Sequence, residues 1–232
     1  MEGAVPPVDE EPGGGEAAGD SALARVLRAA ARGEFPPGDG GVTVIPPPNA
    51  RDSGVLGMTA HAVVFTDQDP EWVRATLRAA SPDPLAAPLG PAFLAAFGAR
   101  TGRRVNCVDL LTVAPALPGE PELELTEVSG TDHPRVVRAR RFRDRVRVWT
   151  TPDGGVLVLG AGVAGRLEVA IELDEAARGR GRGRELALAA RQLVPAGELL
   201  WSQQPPGNAR SVRTFQAAGY RPVGAEALLI VD

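Results

Sequence analysis

Three groups of residues have types and spacings that suit chemistry. The first is the run Arg178-Gly179-Arg180-Gly181-Arg182-Gly183, which alternates guanidinium groups with glycine. Glycine lets a backbone approach an oxyanion without a Cβ in the way, and arginine adds charge with bidentate donors. An apolar strand pattern ending at Leu173 precedes the run. A helix pattern with Leu186, Ala189, Ala190 and Leu193 on one face follows it. In a strand, glycine loop and helix start, free N–H groups and the positive end of the helix dipole point at one spot, so the run reads as an anion site. The second group is Glu168 and Glu172, which share one face of the preceding strand by the two-residue period, so that either carboxylate could relay a proton through water. The third is the stretch Trp201 to Gly224. Here Asn208 suits an N-cap, Val212, Phe215 and Ala218 form a helical stripe, Gly219 suits a C-cap and Tyr220 restarts a strand.

Two familiar phosphate loops do not fit. A Walker loop ends in Gly-Lys-Ser/Thr, and the chain has no lysine; the dinucleotide fingerprint needs a different order of glycines. The R-x-x-G-x-G spacing of Arg178, Gly181 and Gly183 at a strand-to-helix junction instead resembles the pyrophosphate motif of the GNAT superfamily of acyl-CoA-dependent N-acyltransferases. The lead-in Leu173-Asp174-Glu175-Ala176-Ala177 is similar too, with Glu175 where a proline is common, and residues 201–224 look like that family's late strand, Asn-x-x-Ser helix and Gly-aromatic exit. The resemblance covers residues 122–232 well and the first half only vaguely.

This resemblance implies an α/β fold with a mixed, mostly antiparallel central sheet flanked by helices. It also implies acyl transfer, acetyl by default, from CoA to a primary amine by direct attack in a ternary complex. The donor would lie between two splayed strands, Leu167–Leu173 and Leu199–Gln203, touching Ile171, Leu173, the loop Arg178, Gly179, Arg180, Gly181, Arg182 and Gly183, and then Asn208, Ser211 and Phe215. A backbone N–H near Leu173 would serve the oxyanion. Glu168 is the favoured base, with Glu172 as the second choice. The tyrosine that many members use as thiolate acid falls at Phe215, which has no ionisable proton. That departure leaves Tyr220 or solvent as the proton source, and leaves a non-catalytic CoA-binding module as the alternative.

Other features have plainer readings. The Arg-Gly run would also suit a solvated turn or a flexible RNA contact, but no aromatics are interleaved with it. Arg135, Arg138, Arg140, Arg141, Arg143, Arg145 and Arg147 read first as a solvated helix face and second as a guide for phosphorylated or acidic ligands. His133 lies beside Pro134 in a capping region. His61 and Cys107 fall in apolar strand-like runs, and Trp72, Trp149 and Trp201 read as core. With one cysteine and two histidines, neither an internal disulfide nor a Cys/His metal cluster can be assembled, so no metal is expected.

The elements that must position these groups follow from pattern and punctuation. Residues 1–20 are acidic and rich in glycine and proline, which predicts a disordered tail. Residues 21–54 read as a short helix, capped by Ser21 and stopped by Gly33, and then a Pro/Gly linker. Residues 55–118 read as a β-α-α-β region with a strand at His61–Phe65, helices at Pro70–Ala80 and Pro91–Arg100 and a strand at Val105–Val113. A boundary near 116–121 follows, dividing either two domains or parts of one fold, and 119–232 form the acyltransferase unit. That unit is expected to run as a strand with Leu123, Leu125 and Glu127; a helix at Pro134–Arg143; strands at Val146–Thr150, Gly155–Gly160 and Leu167–Leu173; a helix at Gly181–Leu193; a strand at Leu199–Gln203; a helix at Ala209–Ala218; and a strand at Ala225–Val231.

At 232 residues and 44% hydrophobic content the chain can bury a sizeable core. No run suits a membrane span and the acidic start is unlike a signal peptide, so a cytoplasmic protein without membrane or nucleic-acid partners is expected, as monomer or homodimer. Of the net charge of −4, residues 1–40 contribute −5 from eight acids and three arginines, which leaves the rest at about +1. The all-arginine basic set and the abundance of alanine, glycine and proline point to a GC-rich bacterial source of actinobacterial type.

Overall fold

A computed structural model of the chain describes residues 21–231, so the expected tail at 1–20 lies outside the described residues. The chain runs α1 (Ala22–Arg32), β1 (Val42–Ile45), β2 (Ser53–Met58), β3 (His61–Phe65), α2 (Pro70–Ala80), α3 (Pro91–Thr101) and β4 (Arg104–Pro115). It continues with β5 (Thr126–Glu127), α4 (Pro134–Phe142), β6 (Asp144–Thr150), β7 (Gly155–Ala161), β8 (Leu167–Leu173), α5 (Arg182–Gln192), β9 (Leu199–Gln204), α6 (Ala209–Ala217) and β10 (Arg221–Ile230). The ten strands form one sheet in the order β1-β3-β2-β10-β4-β9-β8-β7-β6-β5. Neighbours are antiparallel except β1 with β3 and β8 with β9. The fold is therefore α/β with a large, mostly antiparallel sheet and helices on its faces.

Local signals account for most elements. Ser21 accepts a hydrogen bond from the Ala24 N–H at the start of α1, and Gly33, at φ 86°, ends it in the left-handed region that suits glycine. Asp69 caps α2 with Pro70 in its first turn, and His133 caps α4, its Nδ1 accepting from the Arg135 N–H at 3.2 Å. Four apolar clusters bury the helix faces. Leu23 and Leu27 of α1 pack on Leu56, Phe65 and Trp201, while Phe93 and Phe97 of α3 pack on Val55, Val64 and Leu229. Leu186 and Ala190 of α5 meet Leu157, Val169 and Phe215; Val136 of α4 meets Val148 and Val158.

Two segments differ from expectation. Residues 42–54, expected as linker, contain β1 and the start of β2, which runs on into the expected β-α-α-β region: the short alternation Val42-Thr43-Val44 pairs with β3, and Gly54 and Gly57 allow β2 to lie close against β10 and its neighbours. The stretch Leu123 to Glu127, expected as a full strand, pairs only at Thr126 and Glu127, although Leu123 and Leu125 still pack on the core. The chain excursion at 116–121 does not interrupt the sheet, because β10 inserts between β2 and β4, and β4 lies against β9. Backbone bonds from Ala116 to Glu198 and from Leu117 to Arg191 hold the excursion against the C-terminal half.

The feature that shapes the site is the short contact between β8 and β9. They pair only at Leu167↔Leu200 and Glu168↔Trp201, and then diverge. A buried charge cluster sits where they part. Arg166 donates to both Glu226 oxygens at 2.8 and 2.7 Å and to Glu168 at 2.8 Å. Arg143 donates to the other Glu168 oxygen at 2.8 Å, and the Gln203 amide donates to Glu168 and Glu226 at 3.0 and 2.8 Å. Gly162 leaves the room this needs, since a Cβ there would overlap the Glu168 carboxylate.

Removing one member of such a cluster leaves an uncompensated buried charge. Arg166→Ala, which strands Glu168 and Glu226, is expected to lower unfolding free energy by about 3–5 kcal/mol. Denaturant unfolding checks this; a loss under about 1 kcal/mol would mean the cluster is hydrated and not holding the strands.

Candidate active site

Past Glu168, the edge of β8 that faces β9 has no strand partner, and a cleft of about 830 Å³ opens there. Its floor includes Ile171, Glu172 and Leu173 of β8. At one end it meets Arg178, Gly183, Asn208, Ser211 and Phe215; at the other it meets β4, β10 and the open face of α4. The structure thus brings together most of the residues singled out from sequence.

The backbone of the loop leaves donors free at the start of α5. Gly181, at φ 83°, is the N-cap of α5, a conformation costly for any residue with a Cβ. No side chain caps the helix, and the N–H groups of Gly181, Arg182 and Gly183 meet no acceptor among the described residues. Its arginines divide their work. Arg178 lines the cleft and donates to the Leu173 carbonyl at 3.0 Å, Arg182 pairs with Asp153 and Glu185 at 2.7 Å each, and the Arg180 side chain has no partner among the described residues. Gly179, at φ 81°, supplies the turn, and like Arg180, Gly181 and Arg182 it does not line the cleft, which Arg178 and Gly183 do. Asn208 caps α6 by accepting from the Ser211 N–H at 3.1 Å, which presents Asn208 and Ser211 on the cleft wall.

The proposed catalytic groups fare differently. Glu168 lines the cleft but is 3% exposed, and both oxygens are engaged by arginine. Burial alone would raise its carboxyl; the Arg166 and Arg143 charges and their hydrogen bonds outweigh that and hold it below the ordinary value. A carboxylate so stabilised is a weak proton acceptor, which speaks against the base role expected of Glu168. Glu172 faces the cleft half-exposed and is held by Arg135 at 2.9 Å. Tyr220 is 2% exposed behind Phe215, with the two rings edge-on at 5.0 Å. Its hydroxyl donates to the Ala187 carbonyl at 3.2 Å, and burial pushes its pKa well up, so it is core and not the thiolate acid.

Three cleft groups lay outside the sequence expectations as site residues. Asp109 of β4 enters no ion pair among the described residues; burial first, with Cys107 opposing and the Glu226 charge adding, leaves its carboxyl above the ordinary value. Arg138 and Arg141 of α4, read first as a solvated face, line the cleft because the three-residue helical spacing puts them on the same side as Arg135. Of the rest of the basic run, Arg135 and Arg143 also line the cleft, whereas Arg140 donates to the Ser129 and Thr131 carbonyls, and Arg147 pairs with Glu127 over the Trp149 ring. Among the described residues no helix is long and apolar enough to cross a membrane.

Tyr220→Phe is expected to leave any activity unchanged and to cost about 1 kcal/mol of stability, read by thermal or denaturant unfolding. Because the folded Glu168 carboxyl lies below the ordinary 4.5, its contribution to stability is complete above that pH and is lost as pH falls through the folded value. The stability gap between wild type and Glu168→Gln should therefore be constant near neutrality and shrink below about pH 4.5 in pH-dependent unfolding.

No protein-family model and no curated protein matches the chain. Among solved structures it is similar to a GCN5-related N-acetyltransferase from Kribbella flavida, at 16% identity and TM-score 0.41, over 93% of this chain and 95% of that one. It is also similar to a GNAT-family acetyltransferase from Colwellia psychrerythraea, at 10% identity and TM-score 0.39, over 77% and 81% of the two chains. A protein assigned to the GNAT acetyltransferases from Novosphingobium aromaticivorans gives 18% identity and TM-score 0.37 over 56% of this chain and 68% of that one. Superpositions this loose leave the geometry of the cleft as the ground for function.

Proposed function

We propose that the chain is a GNAT-type N-acyltransferase that moves an acyl group, acetyl by default, from acyl-CoA to a primary amine. The observation that carries this reading is the conjunction of a free helix N-terminus at Gly181–Gly183 with a cleft where two parallel strands part after Glu168. The loop N–H groups, Arg178 and the exposed Arg180 suit a pyrophosphate. The unpaired edge of β8 from Val169 to Leu173 offers backbone donors and acceptors to an extended amide-bearing arm, as an added strand would use them. Asn208, Ser211 and Phe215 wall the same channel.

The thioester supplies an activated carbonyl carbon, to which the amine nitrogen bonds as the carbon–sulfur bond breaks. The residues of the chain have three tasks. A β8 backbone N–H near Leu173 would donate to the oxyanion, worth about 3 kcal/mol where such donors are preorganised. A cleft carboxylate would take the amine proton; Glu168 is occupied and Glu172 is held by Arg135, which leaves Asp109 as the carboxylate without an ion pair. The departing thiolate takes its proton from solvent, because Phe215 carries none and Tyr220 is turned into the core.

Gly183 separates the loop from Thr214, and a Cβ there would lie 3.2 Å from the Thr214 methyl. Gly183→Val is expected to weaken acetyl-CoA binding by about tenfold or more by filling the phosphate approach, with little change in unfolding. This substitution isolates the approach better than one at Gly181, where the left-handed φ would strain any side chain. Calorimetry checks it: unchanged affinity in a folded variant would remove the loop assignment. Thiol release across an amine panel separates the transferase from a binding module that does not turn over.

A further inference from the structure

The end of the cleft away from the phosphate loop has an uneven charge arrangement. Arg143 is balanced by Glu168, and Arg51 by Asp52 and Asp144. Arg138 and Arg141 enter no ion pair among the described residues: Arg138 rests over the Phe142 ring at 5.1 Å, and Arg141 over the same ring at 5.3 Å while donating to the Val231 carbonyl. Asp109 lines the same cleft with no ion pair of its own among the described residues, close enough to feel Arg138 electrostatically. Moreover, Arg143 is nine-tenths buried, lines the cleft, and keeps one nitrogen, Nη1, without a partner. Buried polar groups are rarely left so, and a ligand oxygen is the natural complement of a donor in this position.

We infer that the acceptor is a small amine bearing its own anionic group, whose ammonium end faces Asp109 while its carboxylate or phosphate is held by Arg138, Arg141 and Arg143. This rests on the acyltransferase reading for the direction of the cleft. A plain alkylamine would leave two guanidiniums unmatched, whereas an amino-anion matches both signs within one pocket. Only the neutral amine attacks, so Asp109 would first pair with the ammonium and then take its proton, and the anionic end would keep the nitrogen in register meanwhile.

The test is calorimetric binding to the CoA-loaded protein of β-alanine and O-phosphoethanolamine, against their neutral counterparts β-alaninamide and ethanolamine. The anionic members are expected to bind about tenfold tighter or more. The carboxylate and phosphate arms show which anion the pocket prefers. Arg138→Gln with Arg141→Gln, both on exposed side chains, should abolish the difference and leave CoA affinity unchanged. Equal binding within each pair, no binding by any of the four, a preference that survives the double substitution, or a double variant that loses CoA instead would each overturn the inference. A chain that fails to bind CoA loses the donor reading separately, and the same four titrations on the CoA-free protein then still decide the arginine contrast.

Discussion

The site depends on one interaction, the Arg166 guanidinium clamped between Glu168 and Glu226. Arg166 immediately precedes β8, Glu168 lies in β8 and Glu226 in β10, and Gln203 bonds to both acids from β9. Two arginines and two glutamates cancel, so the cluster puts no net charge in the core. Such clusters contribute little stability relative to apolar packing, and their effect is to decide which atoms meet. Here the cluster sits at the point at which β8 and β9 stop pairing. Were the strands to continue in register, the β8 edge from Val169 onward would be consumed by β9 and the cleft would close.

The same cluster gives Glu168 its character. A carboxylate at the mouth of a cleft is an attractive base when only the strand alternation is known. The structure surrounds it with two cations, which stabilises the charged form and removes its tendency to take a proton. Asp109, beside Glu226 in the sheet, has different surroundings: burial first and the like charge of Glu226 act against ionisation and outweigh the Cys107 hydrogen bond and the Arg138 and Arg166 charges. Two carboxylates near one cleft thus diverge in proton affinity through their neighbours.

What could be read from sequence follows the range of the interactions involved. Capping residues such as Ser21, Asp69 and Asn208, the stop at Gly33 and the loop Arg178–Gly183 are local devices, and the elements they bound lie within a few residues of expectation. Short strands escaped for a local reason as well: β1 has four residues among prolines and glycines, too few for an alternation to stand out. Glu226 was legible only as a lone acid inside an apolar strand, a signal for a buried partner that names no partner. The order of strands, with β10 between β2 and β4, has no local signature, because it rests on pairings between distant segments.

This difference in range separates the two ends of the cleft. The end at the glycine loop is made almost wholly from one stretch, the end of β8, its loop, and the starts of α5 and α6, so composition and spacing suffice to single it out. The other end is assembled from Arg51, Asp109, α4 and the end of β10, segments separated by tens to more than a hundred residues. The basic run 135–147 alone resembles a solvated face. Its Arg138 and Arg141 acquire meaning only when β4 brings a carboxylate into the same cleft and the Glu168 clamp holds Arg143 alongside. That end of the cleft is complete only with β4 and β10 in the sheet, which makes both strands part of its wall and not only its support.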